Sequence, residues 1–254
     1  MLKFKFFIVT TILGLIAIII GFYANKNVWW FVLGYICLSS ITLFIASMTL
    51  SWQFFVKAIT RNKNVTKPFF CITFDDGPNP KYTPLVLEIL KKYKAKATFF
   101  LIGKEAVTYP DLVKQILKEG HDIGNHTYTH STISGGFNTK QWLMEIEKTT
   151  AVLQNETRPI KWFRPPFGVS TPNLANALKQ THLKVVGWNK RSFDTFFKNE
   201  DHILKLISQN LKPGDIILLH DKQPNCIPVL ERLLQIAQEK QLLPVTINQL
   251  LDEK

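Results

Sequence analysis

Pro68-Phe69-Phe70-Cys71-Ile72-Thr73-Phe74-Asp75-Asp76-Gly77-Pro78 decides how this chain is read. Residues 68–74 form a short apolar run of aromatic and branched side chains, the pattern of a buried β-strand. The run ends on two adjacent carboxylates. Their like charges raise a pKa unless a cation intervenes. An economical arrangement gives one aspartate to a metal and leaves the other as a base. Downstream, His126-Thr127-Tyr128-Thr129-His130 supplies two imidazoles four residues apart, a spacing that can place both on one side of a helical turn, and Arg164 and His220 each follow a short apolar run.

Outward from this stretch, strand and helix patterns alternate. Helical stripes are expected over 83–93, 111–119, 139–154, 172–181, 201–211 and 228–240. Strands are expected over 97–102, 121–125, 161–163, 183–188, 215–219 and 243–245. About seven strands separated by helices imply a parallel sheet with covering helices, an α/β fold. In a parallel barrel the C-terminal strand ends share one face, where active sites are built. Asp75, Asp76, His126, His130, Arg164 and His220 all fall just beyond expected strands, so their separation in sequence is no obstacle to assembly. No internal repeat or low-complexity segment interrupts the pattern.

The first 56 residues differ in kind. Phe6 to Ala24 is almost unbroken apolar sequence, and a second run extends from Val28 to about Val56, with Asn25-Lys26-Asn27 between them. A membrane-crossing helix needs about 20 such residues, whereas the apolar region of a signal peptide is usually about 7–15. Trp29, Trp30 and Trp52 lie near the ends of the second run, where interfacial aromatics belong. A transmembrane helical hairpin over 1–56 is expected, the alternative being one span and an interfacial helix. A basic linker over 57–67 and a catalytic domain over 68–254 follow. Lysines 3 and 5 lie before the hairpin, and Lys57, Arg61, Lys63 and Lys67 after it. The positive-inside rule favours both ends in the cytoplasm, but by itself leaves open the side of the plasma membrane that the domain faces.

The chain has 31 basic and 19 acidic residues and a net charge of +12. Residues 1–56 contain no acidic residue and three lysines, so the remainder, with 28 basic and 19 acidic residues, stands at +9. A basic domain beside apolar helices suits membrane lipid, an acidic glycan or a lipid-linked sugar. No nucleic-acid-binding motif accompanies the charge, and no obligate protein partner is evident. Cys37, Cys71 and Cys226 have no metal-ligand spacing and read as buried free thiols in apolar surroundings.

Two imidazoles and one carboxylate leave open positions on a divalent ion, as a catalytic site requires. An HxxxH pair alone is a weak signal, and an Asp-Asp strand end alone reads as a turn or cap. Together they point to a metal-dependent hydrolase. The chain resembles the polysaccharide deacetylase family, also called the NodB homology domain or carbohydrate esterase family 4, over about residues 68–250. Thr73-Phe74-Asp75-Asp76-Gly77, His126 to His130, Arg164-Pro165-Pro166-Phe167 and Leu218-Leu219-His220 stand in the order of that family's motifs. The resemblance implies a distorted (β/α) barrel of about seven strands. It implies that Asp76, His126 and His130 bind one divalent ion, zinc first, with cobalt, nickel or manganese as alternatives. Asp75 is then the general base for the attacking water, and His220 the general acid for the leaving amine, a role suited to a group with a pKa of about 6.5. Arg164 keeps Asp75 ionised and aimed. A backbone N–H near Phe167 meets the oxyanion, and Leu218 walls the acyl pocket.

One motif departs from the family's pattern. In Trp188-Asn189-Lys190-Arg191-Ser192-Phe193-Asp194-Thr195-Phe196, Asp194 stands where the family has Asp, but Thr195 replaces a usual Trp. Asp194 is expected to orient His220, and Phe196 to supply the missing aromatic wall. The reading is thus a membrane-anchored, metal-dependent deacetylase that removes an N-acetyl group from an amino sugar of a glycan. One alternative is a cytoplasm-facing deacylase of a lipid-linked amino sugar. Another, of a different class, is a glycan-binding membrane protein without catalysis. His121, His182 and His202 are expected to be structural or solvated, and the Asn155-Glu156-Thr157 sequon incidental.

Overall fold

The computed structural model describes residues 2–24, 29–154 and 159–252. Two apolar helices open the chain, α1 (Leu2–Ala24) and α2 (Trp29–Met48). Both are long and apolar enough to cross a membrane, with mean hydropathies of 2.4 over Lys3–Gly21 and 2.0 over Trp29–Met48. They pack together where Gly14 leaves room for Tyr35: a Cβ on Gly14 would collide with the tyrosine oxygen. That hydroxyl donates to the carbonyl of Thr10 at 3.2 Å. Lys26, assigned above to the turn between the spans, and the 155–157 sequon lie outside the described residues.

Among the described residues nine parallel strands form the sheet. They are β1 (Ala58–Ile59), β2 (Phe69–Gly77), β3 (Ala97–Leu101), β4 (Asp122–Asn125), β5 (Trp162–Phe163), β6 (Lys184–Val186), β7 (Lys190–Arg191), β8 (Ile216–His220) and β9 (Leu243–Val245). Their order is β1-β6-β5-β4-β3-β2-β8-β7, with β9 paired to the first residues of β2. The two ends do not pair, so the sheet is a curled half-barrel. The covering helices are α3 (Thr83–Lys92), α4 (Gly103–Thr108), α5 (Pro110–Lys118), α6 (Thr139–Leu153), α7 (Pro172–Leu178), α8 (Glu200–Ser208) and α9 (Cys226–Glu239), and α10 (Ile247–Leu251) ends the fold.

Strand alternation sorts the core into two layers. Phe70, Ile72 and Phe74 of β2, with Ala97, Phe99 and Leu101 of β3, pack outward against α3, α8 and α9. Cys71, Phe100, Trp162, Val186 and Ile216 point into the curl, where Ile247 and Leu250 of α10 close its floor. Thr73, Asp75, Leu218 and His220 share that inner face by the same alternation, nearer the C-terminal end. The fold therefore aims the chemical residues into one open mouth.

Three stretches differ from their sequence reading. Residues 57–67 are not a free linker. Ala58 and Ile59 pair with Val185 and Val186, and Arg61 meets the buried Asp215 at 3.0 Å. Two residues are too short a strand for periodicity to reveal. Helices α4 and α10, of six and five residues, fall below the length at which a helical stripe is legible. The expectation of buried free thiols is borne out for Cys71 and Cys226 but not for Cys37, which is exposed on its apolar helix.

Candidate active site

The strand end that carries both aspartates is irregular. Regular alternation would send Asp75 and Asp76 to opposite faces. Instead the register against β3 slips between Asp75 and Gly77, and Asp76 takes a left-handed φ of 73°. This bulge turns the second carboxylate toward the same mouth as the first. Gly77 completes the turn because a Cβ there would come within 2.6 Å of the Asp221 carboxylate.

Asp76, His126 and His130 offer ligand atoms that all lie within 4.8 Å of one another. Asp76 Oδ1 is 3.6 Å from His126 Nε2 and 3.1 Å from His130 Nε2. That oxygen is buried and has no hydrogen-bond partner among the described residues. His126 Nδ1 faces the carbonyl of Arg164 at 2.8 Å, which puts the proton on Nδ1 and leaves Nε2 as the ligand atom. Burial and the neighbouring His126 hold His130 down to about 4, so its ring is neutral at pH 7. Burial opposes ionisation of Asp76, but His126, His130 and His220 outweigh it and hold this carboxyl below its usual range. One carboxylate and two imidazoles are the donor set of a divalent transition ion, and the residues fit one.

The two histidines do not share a helical turn. Residues 126–130 form a loop in which Thr127 and His130 have φ of 66° and 50°. Asn125 and Glu145 hold it. Asn125 Oδ1 accepts the N–H of Thr127 at 2.9 Å, while its amide donates to Ile146 O and Thr150 Oγ1. Glu145, on α6, accepts the N–H groups of Tyr128 and Thr129 at 2.9 and 2.8 Å and the Thr129 hydroxyl at 3.0 Å. Sequence reading passed over Glu145, although a signal was present. Trp142, Ile146, Thr149 and Leu153 form the buried stripe of α6, and Glu145 falls on it.

Arg164 is fully buried beneath Asp75. Its Nη1 donates to Asp75 Oδ1 at 2.7 Å and to Thr73 Oγ1 at 2.8 Å, its Nε to Val186 O and its Nη2 to Gly187 O. Its guanidinium lies 4.1 Å over the Phe100 ring. The fork fixes one oxygen of Asp75, and the other stands 3.7 Å from His126 Nε2.

His220, at the end of β8, pairs in register with Asp75. Its Nδ1 meets Asp194 Oδ1 at 2.7 Å, and its backbone N–H donates to Asp194 Oδ2 at 2.8 Å. Ser192 Oγ donates to the same carboxylate. Burial pulls the His220 pKa down, but the hydrogen bond and charge of Asp194, aided by Asp75 and Asp76, push it up to about 9. The ring is protonated at neutral pH, with Nε2–H left to donate.

Phe167 has a φ of 59°, and its ring lies 4.9 Å from that of His130. Leu218 is buried on the inner face, opposite Arg191 of β7. Phe196 is 77% exposed and turns its ring to Phe197 at 5.1 Å, with no ring contact to the Asp-His cluster among the described residues. The aromatic beside the mouth is Trp188, whose ring would lie 2.6 Å from a Cβ on Gly168 and which stacks with Arg164 and Arg191. His121 is buried, with Nδ1 accepting from Ala97 N–H. His182 is exposed, and His202 packs on Phe197.

The polysaccharide deacetylase family model matches residues 62–186. A peptidoglycan-N-acetylglucosamine deacetylase of Bacillus cereus is 37% identical over 194 residues, which are 72% of this chain and 88% of that protein. Among solved structures, the peptidoglycan deacetylase PdaC from Bacillus subtilis superposes with a TM-score of 0.67 at 29% identity, over 73% of this chain and 92% of PdaC. A carbohydrate esterase family 4 pseudoenzyme from Bacillus anthracis superposes with a TM-score of 0.71 at 26% identity, over 78% of this chain and 70% of its own.

Proposed function

Because this chain belongs to the polysaccharide deacetylase family and is a glycan deacetylase, we propose that it is a membrane-anchored, metal-dependent enzyme removing the acetyl group from N-acetylglucosamine of a peptidoglycan-type glycan. The observation that carries the metal dependence is the buried, unpartnered Oδ1 of Asp76 facing the Nε2 atoms of His126 and His130. A polar atom left so costs stability unless something binds it. These three residues hold one divalent ion, and zinc suits the donor set. When bound, the ion supplies Lewis acidity at the acyl carbonyl and lowers the pKa of water.

The chain's own groups carry the proton traffic. Asp75, with one oxygen fixed by Arg164, takes a proton from the attacking water through the other. The water oxygen bonds to the acyl carbon, and a backbone N–H at Phe167 receives the negative charge that develops on the carbonyl oxygen. His220 donates its Nε2 proton to the amide nitrogen as the carbon–nitrogen bond breaks, releasing acetate and a free amine. Asp194 holds His220 in the donating state. Leu218 borders the space for the acetyl methyl. Helices α1 and α2 fix the domain to the membrane.

A relative with the same fold and no catalysis, as the Bacillus anthracis neighbour is called, makes the test one of chemistry. The full chain in detergent is assayed for acetate release from N-acetylglucosamine oligomers, before and after chelation, beside Asp75→Asn. Release that chelation and the substitution both abolish is the expected result. Release that survives either one refutes the mechanism, and metal binding without release from any N-acetylated glycan favours the glycan-binding alternative.

A further inference from the structure

The helical pair is built into the domain with no slack. Between the end of α2 at Met48 and the start of β1 at Ala58, Leu50, Phe54, Phe55 and Val56 are all buried. They join Ala46 of α2 in one cluster with Trp142, Phe163, Leu174 and Val185 of the catalytic fold, and Phe4 and Phe7 of α1 pack against it. A tether needs free chain to allow its cargo to roam, and there is none here.

The join also touches the catalytic mouth. Ser47, the penultimate residue of α2, donates its hydroxyl to Ser170 O at 2.8 Å and accepts the Ser170 N–H at 2.9 Å. Ser170 lies three residues beyond Phe167, at most about 11 Å along an extended chain, and Phe167 touches His130. Leu50 packs close to Gly187, whose carbonyl holds Arg164. The headgroup layer on each side of a bilayer is only about 5–7 Å thick. A span ending at Met48 therefore puts the site within roughly 10 Å of that layer. The loop 131–137 lies alongside, with Gly135 against Val169. Within it Ile133 is 72% exposed among the described residues. Lys3, at the matching end of α1, donates to Trp52 O, as a basic residue and an aromatic at a membrane surface do.

We propose that α1 and α2 dock the enzyme instead of tethering it: the mouth is held against the bilayer, loop 131–137 enters the headgroup layer, and the substrate is an N-acetylated amino sugar presented at the lipid surface. This rests on the reading of α1 and α2 as membrane spans. It does not depend on which side of the membrane the domain occupies. A free polymer that has left the surface must bend back to reach such a mouth, whereas a sugar carried on a lipid arrives at its height.

The test uses the full chain in phosphatidylglycerol–phosphatidylcholine vesicles, with a nitrobenzoxadiazole dye on one cysteine and a quencher on the lipid near the headgroup. Native Cys37, exposed on α2, reports on the span itself. Ile133→Cys, and Glu239→Cys at the end of α9, are each labelled after Cys37→Ser, because Cys71 and Cys226 are buried. Quenching at least two-fold stronger at position 133 than at 239 is expected. Equal quenching at the two overturns the docking. Loss of quenching at Cys37 by a second quencher placed midway along the acyl chains overturns the membrane reading beneath it. For the substrate, kcat/KM on N-acetylglucosaminyl polyprenyl diphosphate in the vesicles is expected to exceed that on soluble tetra-N-acetylchitotetraose at least ten-fold. The reverse order overturns the substrate assignment and leaves the deacetylase standing, whereas no acetate from either overturns the proposed chemistry.

Discussion

Asp194→Asn tests whether the acid is set by its partner. In the native protein His220 is raised to about 9 from an ordinary 6.5, and Asp194 is the main reason. The smallest contribution, from Asp76, is offset by any cation bound beside it, so the shift is carried chiefly by Asp194. Burial remains when that charge is removed, and the pKa then falls to 6.5 or below. The difference is about 3 kcal/mol of preference for the protonated ring. At pH 7.5 the protonated fraction falls from roughly 97% to 9%, about a ten-fold loss of competent acid. The sign follows from linkage. A histidine with a raised folded-state pKa adds stability that is fully present below about 6.5 and is lost as pH rises toward 9. The variant therefore loses stability at pH 6 and little at pH 9. The assay is kcat for acetate release from pH 5 to 10, with unfolding followed at both pH values. The native alkaline limb should lie near 9 and the variant's near or below 6.5. An alkaline limb that moves by less than half a unit refutes the assignment of His220 as the acid oriented by Asp194.

Three further outcomes follow from the same geometry. Glu145→Gln keeps the side chain's shape but loses acceptors for Tyr128 and Thr129; it should cost ~1–3 kcal/mol in urea unfolding and weaken metal binding by roughly 10–100-fold in a competition titration. Arg164→Lys cannot reach Asp75, Val186 O and Gly187 O together, and should cost about 3 kcal/mol or more in the same unfolding assay, with kcat falling and KM little changed. Asp221 is buried and raised to about 7, mostly by desolvation, so native stability should fall by roughly 4 kcal/mol as pH rises from 3.8 to 7. Asp221→Asn removes this dependence, and its melting temperature should match the native one at pH 4 and equal or exceed it at pH 8.

Much of the site was legible because chemistry-bearing residues sit at the ends of strands that periodicity reveals. The apolar run before Asp75 and the short runs before His126, Arg164 and His220 located four strand ends, and a parallel sheet brings such ends together. What sequence could not supply is how backbone at those ends is bent. Alternation predicts opposite faces for Asp75 and Asp76, and only the bulge at φ 73° reconciles them. The four-residue spacing of His126 and His130 reads as a helical turn, yet the chain achieves the same convergence with two left-handed residues in a loop. Phe196 was a substitute chosen by nearness in sequence, but its ring turns to Phe197, whereas Trp188 reaches the mouth from eight residues upstream. The strand β1 was hidden because two residues inside a basic stretch carry no period.

The bent residues also explain why the surrounding polar groups are placed as they are. Asp76, Thr127, His130, Phe167 and Phe193 all have φ between 50° and 73° without being glycine, and each such residue costs of order 1–3 kcal/mol. All five lie at or just beyond C-terminal strand ends, on the face that carries the chemistry. Left alone, these loops would relax to extended or right-handed backbone, and the carboxylates and imidazoles would separate. Buried polar groups oppose that relaxation at four of these bends. Asn125 and Glu145 hold the bends at Thr127 and His130, and Asp194 ties the turn after Phe193 to the backbone of His220. The bulge at Asp76 is gripped from below, since Arg164 fixes the preceding carboxylate and β3 resumes pairing at Gly77. A glycine at Thr127 would remove the strain and the need for the clamp together, but it would also free the histidines to drift. The strain is therefore a condition of the site, and the clamps belong to the site as much as the ligands do.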